Sequence, residues 1–179
     1  HEGDSRSADA SVRLPTPFAA LQYERRGGSG LRIDSLLSRV EIAKDGLPSA
    51  LLAGQRAEPG GAGLHSLLSR PVELAVHVAR ANASLPPRRV EWRYEQPASF
   101  TRQADDVVRW SAGMVSTDRA LQLDVEGEAW FDGQSVYWAT LTALANVSIA
   151  ETALHVAIEP AIAKFLMGFG RAGRAFERN

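Results

Sequence analysis

The sequence contains no cysteine, which excludes a disulfide framework, thiol catalysis and cysteine-ligated zinc, without assigning a redox compartment. It also lacks an excess of either charge: 20 Lys and Arg stand against 21 Asp and Glu, a formal net charge of -1. With no global field, a general electrostatic grip on nucleic acid or on an anionic membrane is not expected. No run approaches the roughly 18 to 20 apolar residues that cross a bilayer as a helix, so membrane insertion is not expected either. The stretch His1 to Ala10 is too polar to hold the core of a signal peptide. Nucleophile-elbow, P-loop and His-Glu-x-x-His patterns are absent. Long amphipathic helical periods are missing too; the best candidates, Ile33 to Leu37, Leu64 to Ser69 and Ile162 to Leu166, are all shorter than a typical helix of about 11 residues.

What is present is alternation. Val72, Leu74, Val76 and Val78 alternate with Glu73, Ala75, His77 and Ala79, and Val90, Trp92 and Tyr94 with Glu91, Arg93 and Glu95 until Pro97 interrupts. Leu121, Leu123 and Val125 alternate with Gln122, Asp124 and Glu126, leading through Trp130 and Phe131 to Asp132-Gly133, a hairpin-turn dipeptide, with Val136 to Leu144 as the return strand. Leu154, Val156 and Ile158 alternate with His155 and Ala157. Nearer the start, Val40 to Ile42 runs into Lys44-Asp45-Gly46, a turn that needs positive φ at the glycine, and Ala50 to Leu52 returns. Pro15 and Pro17 confine the first strand to a sheet edge, and Gln55 to Gly63 reads as a surface loop. Short strands joined by Gly, Pro and Asp turns predict an all-β antiparallel β-sandwich with few short helical turns. At 179 residues the expected organisation is a flexible lead-in over residues 1–10, one sandwich domain over 11–174 and an exit segment over 175–179.

Few constellations suit catalysis. Gly168 to Gly173 matches G-x-G-x-x-G, but only six residues follow, leaving no room for the helix and acidic residue of a dinucleotide site, so a structural turn is expected. The four histidines show no i, i+4 pair; His77 and His155 fall on polar strand faces and could meet across a sheet, yet two solvated imidazoles are the simpler reading. Asp124, Glu126 and Glu128 share one strand face, the usual mark of a solvated surface, and adjacent Asp105 and Asp106 point opposite ways. No catalytic residue, metal site or cofactor is expected within the chain. Two sequons, at Asn82 and Asn146, matter only on a eukaryotic secretory route.

The aromatic residues are more informative. Trp130-Phe131 and Tyr137-Trp138 flank the Asp132-Gly133 turn, so within each pair one ring should face the core and the other outward. Trp110, Trp130, Tyr137 and Trp138 are therefore the candidate stacking platforms for a sugar, or equally for another protein surface.

Several segments, in order, resemble the N-terminal β-sandwich domain of glycoside hydrolase family 123-like proteins: Val40 to Pro48, Val125 to Gly133, Leu141-Thr142, Leu154 to Glu159 and Ala163 to Arg171. Arg174 stands where the family has the second glycine of a final Gly-Gly, and Glu159 precedes Pro160. The resemblance implies a secreted or cell-surface carbohydrate-active protein in which this sandwich precedes a (β/α)8 catalytic barrel. The family's characterised members are β-N-acetylgalactosaminidases that use the substrate's acetamido group with an Asp-Glu pair in the barrel. A barrel alone takes about 250 residues, so no catalytic residue carries over to this chain. On this resemblance Met167, Phe169, Arg171 and Arg174 would meet the downstream catalytic domain. The expected function is thus a non-catalytic scaffold for that domain, with an autonomous carbohydrate-binding module or an adhesion or assembly module as the alternatives.

Overall fold

The computed structural model describes residues 14–16, 18–27, 30–54, 63–80, 82, 84–162, 165–168 and 171–175, the last two stretches for their backbone alone. The proposed lead-in over 1–10, most of the loop over 55–63 and the last four residues lie outside them. The described regular structure is entirely β. A five-stranded antiparallel meander comprises β1 (Gln22–Arg26), β2 (Gly30–Asp34), β3 (Ser38–Ile42), β4 (Pro48–Ala53) and β5 (His65–Ser66), paired in that order. After β6 (Glu73–Val78) and β7 (Arg88–Arg89) comes a second meander of four long strands, β8 (Trp92–Gln103), β9 (Val107–Ser116), β10 (Leu121–Trp130) and β11 (Ser135–Ala143). Strand β12 (Ile149–His155) returns to pair with β6, giving the order β12-β6-β7, and β13 (Phe165–Gly168) pairs with β14 (Arg171–Ala175).

The alternation dictates the packing. Along β9 and β10 every second residue is buried, and these inner faces meet the first meander. Leu31, Ile33, Val40 and Ile42 pack with Ala98, Val108, Trp110, Ala112 and Ala129. A second cluster joins Leu47, Leu68 and Val72 to Met114, Leu123 and Val125, and a third joins Val76, Val78 and Val90 to Leu121. Leu51 touches the first two clusters, and Trp92 and Leu141 the last two. Two packed layers burying one face each are what period-two patterning produces.

Two tight turns fix the geometry. Gly46, at φ +82°, sits in the β3–β4 turn, where a Cβ would press on Val125 and Ala112; Gly133, at φ +89°, turns β10 into β11. Both match the expected turns. At the end of β2 the Asp34 carboxylate is buried, with Arg32 Nε donating to one oxygen at 2.7 Å and Arg39 Nε to the other at 2.6 Å, so a carboxylate removed from water is paired on both sides.

Three expectations need correcting. Among the described residues none of the predicted helical turns is helical: Ile33 belongs to β2, His65 and Ser66 to β5, and Phe165 and Leu166 to β13, while 163–164 lie outside the described residues. Segments this short cannot offset helix nucleation, whereas strand partners satisfy their backbone. Pro97 does not end its strand. Strand β8 runs through it because β8 is an edge strand and takes up the disturbance in register shifts between Tyr94 and Gln96 and between Gln96 and Ser99. Finally, the alternating Leu154, Val156 and Ile158 are exposed, Leu154 at 59%. Strand β12 is an edge of its three-stranded sheet, and no described element covers that row.

Candidate functional site

The register of the second meander sorts the aromatic residues. Tyr137 pairs with Gly127, which pairs with Trp110, which pairs with Phe100, an inner row crossing all four strands. Trp110 is a core residue at 1% exposure, not a surface platform, which corrects its place among the candidate stacking residues. Its ring crosses the bare backbone of Gly127 to meet Tyr137 edge-on at 5.5 Å, and its indole N–H donates to the Gly46 carbonyl at 3.0 Å. Tyr137 is partly buried against the same cluster, and burial, only weakly offset by Ser135, pushes its phenol up to about 12. Trp130 is half-buried at the end of β10, while its neighbour Phe131 packs on the core and edge-on against Phe18 at 5.1 Å.

Trp138 is the exposed ring, at 48%. It points to the outer face, opposite Glu126 on β10, which in turn faces Ser111 on β9. The in-and-out expectation for Tyr137 and Trp138 therefore matches the structure. Around Trp138 the outer face forms a hollow of about 250 Å³ lined by Thr101, Arg109, Ser111, Glu126, Glu128 and Trp138. Arg109 Nε lies 2.6 Å from a Glu128 oxygen, so that carboxylate is neutralised; Glu126 is exposed and makes no ion pair among the described residues. The Ser111 hydroxyl accepts from Gln96 Nε2 at 3.3 Å, which leaves its own proton to donate. Thr101 lies at the irregularity of β8 between Phe100 and Arg102, a bulge of the kind that re-aims a side chain.

Sequence reasoning missed Arg109, Ser111 and Thr101, and it did not pair Glu126 with Trp138. A signal for the last existed: the turn at Asp132-Gly133 centres the hairpin, so residues six before and six after Asp132 face each other.

The remaining candidates do not converge. His77 faces Glu151, with 3.7 Å between Nδ1 and the carboxylate, and His155 faces Glu73, so the two histidines are apart on neighbouring strands. Among the described residues no three His, Asp or Glu side chains form a metal-binding group. Asp105 and Asp106 lie between β8 and β9, their carbonyls accepting from the amides of Leu21 and Phe131. Of the G-x-G-x-x-G segment, Gly168 ends β13 and pairs with Arg171 of the antiparallel β14, so its described part is strand and not the helix of a dinucleotide site. Met167 lies on β13 and Arg171 and Arg174 on β14, whereas Phe169 is outside the described residues. Asn82 and Asn146 are both exposed, and Asn82 Oδ1 accepts from the Ser84 amide at 3.0 Å.

No curated protein and no solved structure matches the chain. A family does: glycoside hydrolase 123, third domain, over residues 29–179, a match to the third domain and not specifically to the N-terminal one that the motif order implies. With that match reaching from just before β2 through β14, the chain belongs to the glycoside hydrolase 123 third-domain family, an accessory domain of a glycoside hydrolase that has other domains.

Proposed function

We propose that this domain is a non-catalytic scaffold that flanks the catalytic barrel of a secreted or cell-surface glycoside hydrolase. The family match over residues 29–179 carries the reading. The nearest carboxylates on one face are consistent with it: Glu126 and Glu128 stand on an open outer face, and Glu128 is held by Arg109. A glycosidase acid needs a desolvated pocket that raises its pKa, and an open sheet face does not supply one.

A scaffold also needs a face for its neighbour. Ile149, Leu154, Val156, Ile158 and Ile162 form an exposed apolar set on and after β12, just ahead of the β13–β14 hairpin that bears Met167, Arg171 and Arg174. Apolar patches of this kind mark contact surfaces. The test is hydrolysis of a chromogenic N-acetyl-β-galactosaminide by this chain and by the whole polypeptide with and without it. The scaffold reading expects no turnover by the chain alone and a lower thermal midpoint for the polypeptide lacking it. Turnover by the 179-residue chain would refute it.

A further inference from the structure

We propose that the hollow around Trp138 and Glu126 binds a neutral hexopyranose unit of a glycan. The inference takes from the accessory-domain reading only that a glycan is at hand; binding by the chain itself does not require the barrel.

The chemistry is laid out across three strands. Adjacent strands lie about 4.8 Å apart, so the facing side chains of Trp138, Glu126 and Ser111 form a row about 10 Å long, the reach of one pyranose with its substituents. Trp138 supplies a flat apolar surface for the C–H face of a sugar ring. Beside it, the exposed Glu126 carboxylate accepts hydroxyl protons at two oxygens, the stronger kind of hydrogen bond because one partner is charged. Ser111, its oxygen engaged by Gln96, has a proton to give, and Thr101 adds a second hydroxyl at the rim. The hollow of about 250 Å³ is open to solvent and has room for one ring.

Charge selects within the class. Arg109 pairs with Glu128 through Nε, which leaves Glu126 as the carboxylate of the hollow without an ion pair among the described residues. Uronates and sulfated sugars would bring like charge against that carboxylate, whereas neutral hexosides bring only hydroxyls. A bare surface tryptophan would lack the aligned acceptor and the oriented serine.

The experiment is a titration of the isotopically labelled chain with methyl β-galactoside, methyl β-glucoside and methyl N-acetyl-β-galactosaminide, followed by amide and indole N–H resonances, with heparin as the acidic comparison. The expected result is saturable shifts of the Trp138 indole and of the Glu126 and Ser111 amides with at least one neutral glycoside, and no such shifts with heparin. Trp138→Ala should abolish them, and Glu126→Gln should weaken binding by about tenfold, the cost of exchanging a charged acceptor for a neutral one. Both side chains lie on the outer face, and an unchanged amide spectrum elsewhere establishes that each variant is folded. No saturable shift with any of the three glycosides, shifts that survive Trp138→Ala, or a preference for heparin would each overturn the proposal. None of those outcomes touches the scaffold reading, which fails only on turnover by this chain or on an unaltered midpoint without the domain.

Discussion

Gly127→Ala tests whether the inner aromatic row organises the second meander. A Cβ at Gly127 would lie 2.1 Å from Trp110 Cζ2 and 2.3 Å from Cε2, where ordinary carbon contacts are about 3.5 to 4.0 Å. The indole cannot step aside cheaply. It is 1% exposed, tied to the Gly46 carbonyl at 3.0 Å and pressed against Tyr137. Overpacking of a filled core costs about 1–3 kcal/mol. If the ring is displaced far enough to release the buried carbonyl, a further 1–3 kcal/mol or so is lost. The expected total is about 3–4 kcal/mol, or a fall in thermal midpoint of about 10 °C for a chain of this size. The backbone preference of a strand runs the other way, favouring alanine over glycine, so the loss is steric alone. The assay is a urea-unfolding cycle with Trp110→Leu. That change alone should cost about 3–4 kcal/mol for the lost burial. In the double variant, where leucine replaces the indole, the alanine has room and its cost should fall below about 1 kcal/mol, giving a coupling of about 2–3 kcal/mol between two positions in contact. An equal cost of Gly127→Ala with and without Trp110→Leu, within about 0.5 kcal/mol, would refute the reasoning.

Three further outcomes follow from buried or hydrogen-bonded groups. The Ser116 hydroxyl accepts from the amides of Ala120 and Leu121 at 3.0 and 2.9 Å and donates to Asp118 at 2.6 Å; the Ala120 amide also reaches Asp118 Oδ1 at 3.2 Å, so Ser116→Ala should cost about 1–3 kcal/mol in urea unfolding by stranding the buried Leu121 amide in the β9–β10 turn. Tyr137 ionises near 12 in the fold against the ordinary 10.0 of a tyrosine, so the stability linked to its neutral form is complete below pH 10 and is lost as pH rises toward 12. Tyr137→Phe should flatten that part of the stability profile while changing stability at pH 7 by less than about 0.5 kcal/mol, and an unchanged alkaline slope would contradict this. Burial raises the Asp45 carboxyl, although its Oδ1 accepts from the Leu47 amide at 3.0 Å. Its protonated form therefore favours the fold: the contribution is present in acid and lost as pH rises through the raised value. Asp45→Asn keeps the acceptor without the charge and should raise the thermal midpoint at pH 7, with a smaller difference in acid.

How far the sequence could be read depends on whether a feature is local. The alternation of β10 and the glycines at Gly46 and Gly133 are local, and all appear where expected. The burial of Trp110 is a different case: the sequence reading places it among the stacking candidates, although Val108, Trp110, Ala112 and Met114 alternate with Arg109, Ser111 and Gly113. That alternation by itself marks the tryptophan as a core ring. Other features depend on neighbours. Pro97 is tolerable only because β8 is an edge, and strand order is not written in alternation. Leu154, Val156 and Ile158 announce one face of an extended segment, but whether a layer covers that face is decided elsewhere in the polypeptide. The hollow at Trp138 is intermediate: the hairpin register is set by its turn, whereas Arg109, Ser111 and Thr101 arrive through the β8–β9 pairing with its bulges.

The pairing of β6 with β12 has a consequence for the order of folding. The meander from β8 to β11 joins neighbours through short turns, so its strands can zip as soon as Ala143 is available. By contrast, Val78 finds Ile149 and Glu73 finds His155 only across a loop of roughly 70 residues or more, at a closure cost about 2–3 kcal/mol above that of a hairpin turn. A completed meander would shorten that loop in space, so the β12-β6-β7 sheet is expected to close last, on the meander as template. A chain cut between β11 and β12 would therefore keep its long hairpins but leave β6 with an open edge, poised to capture a strand from another molecule.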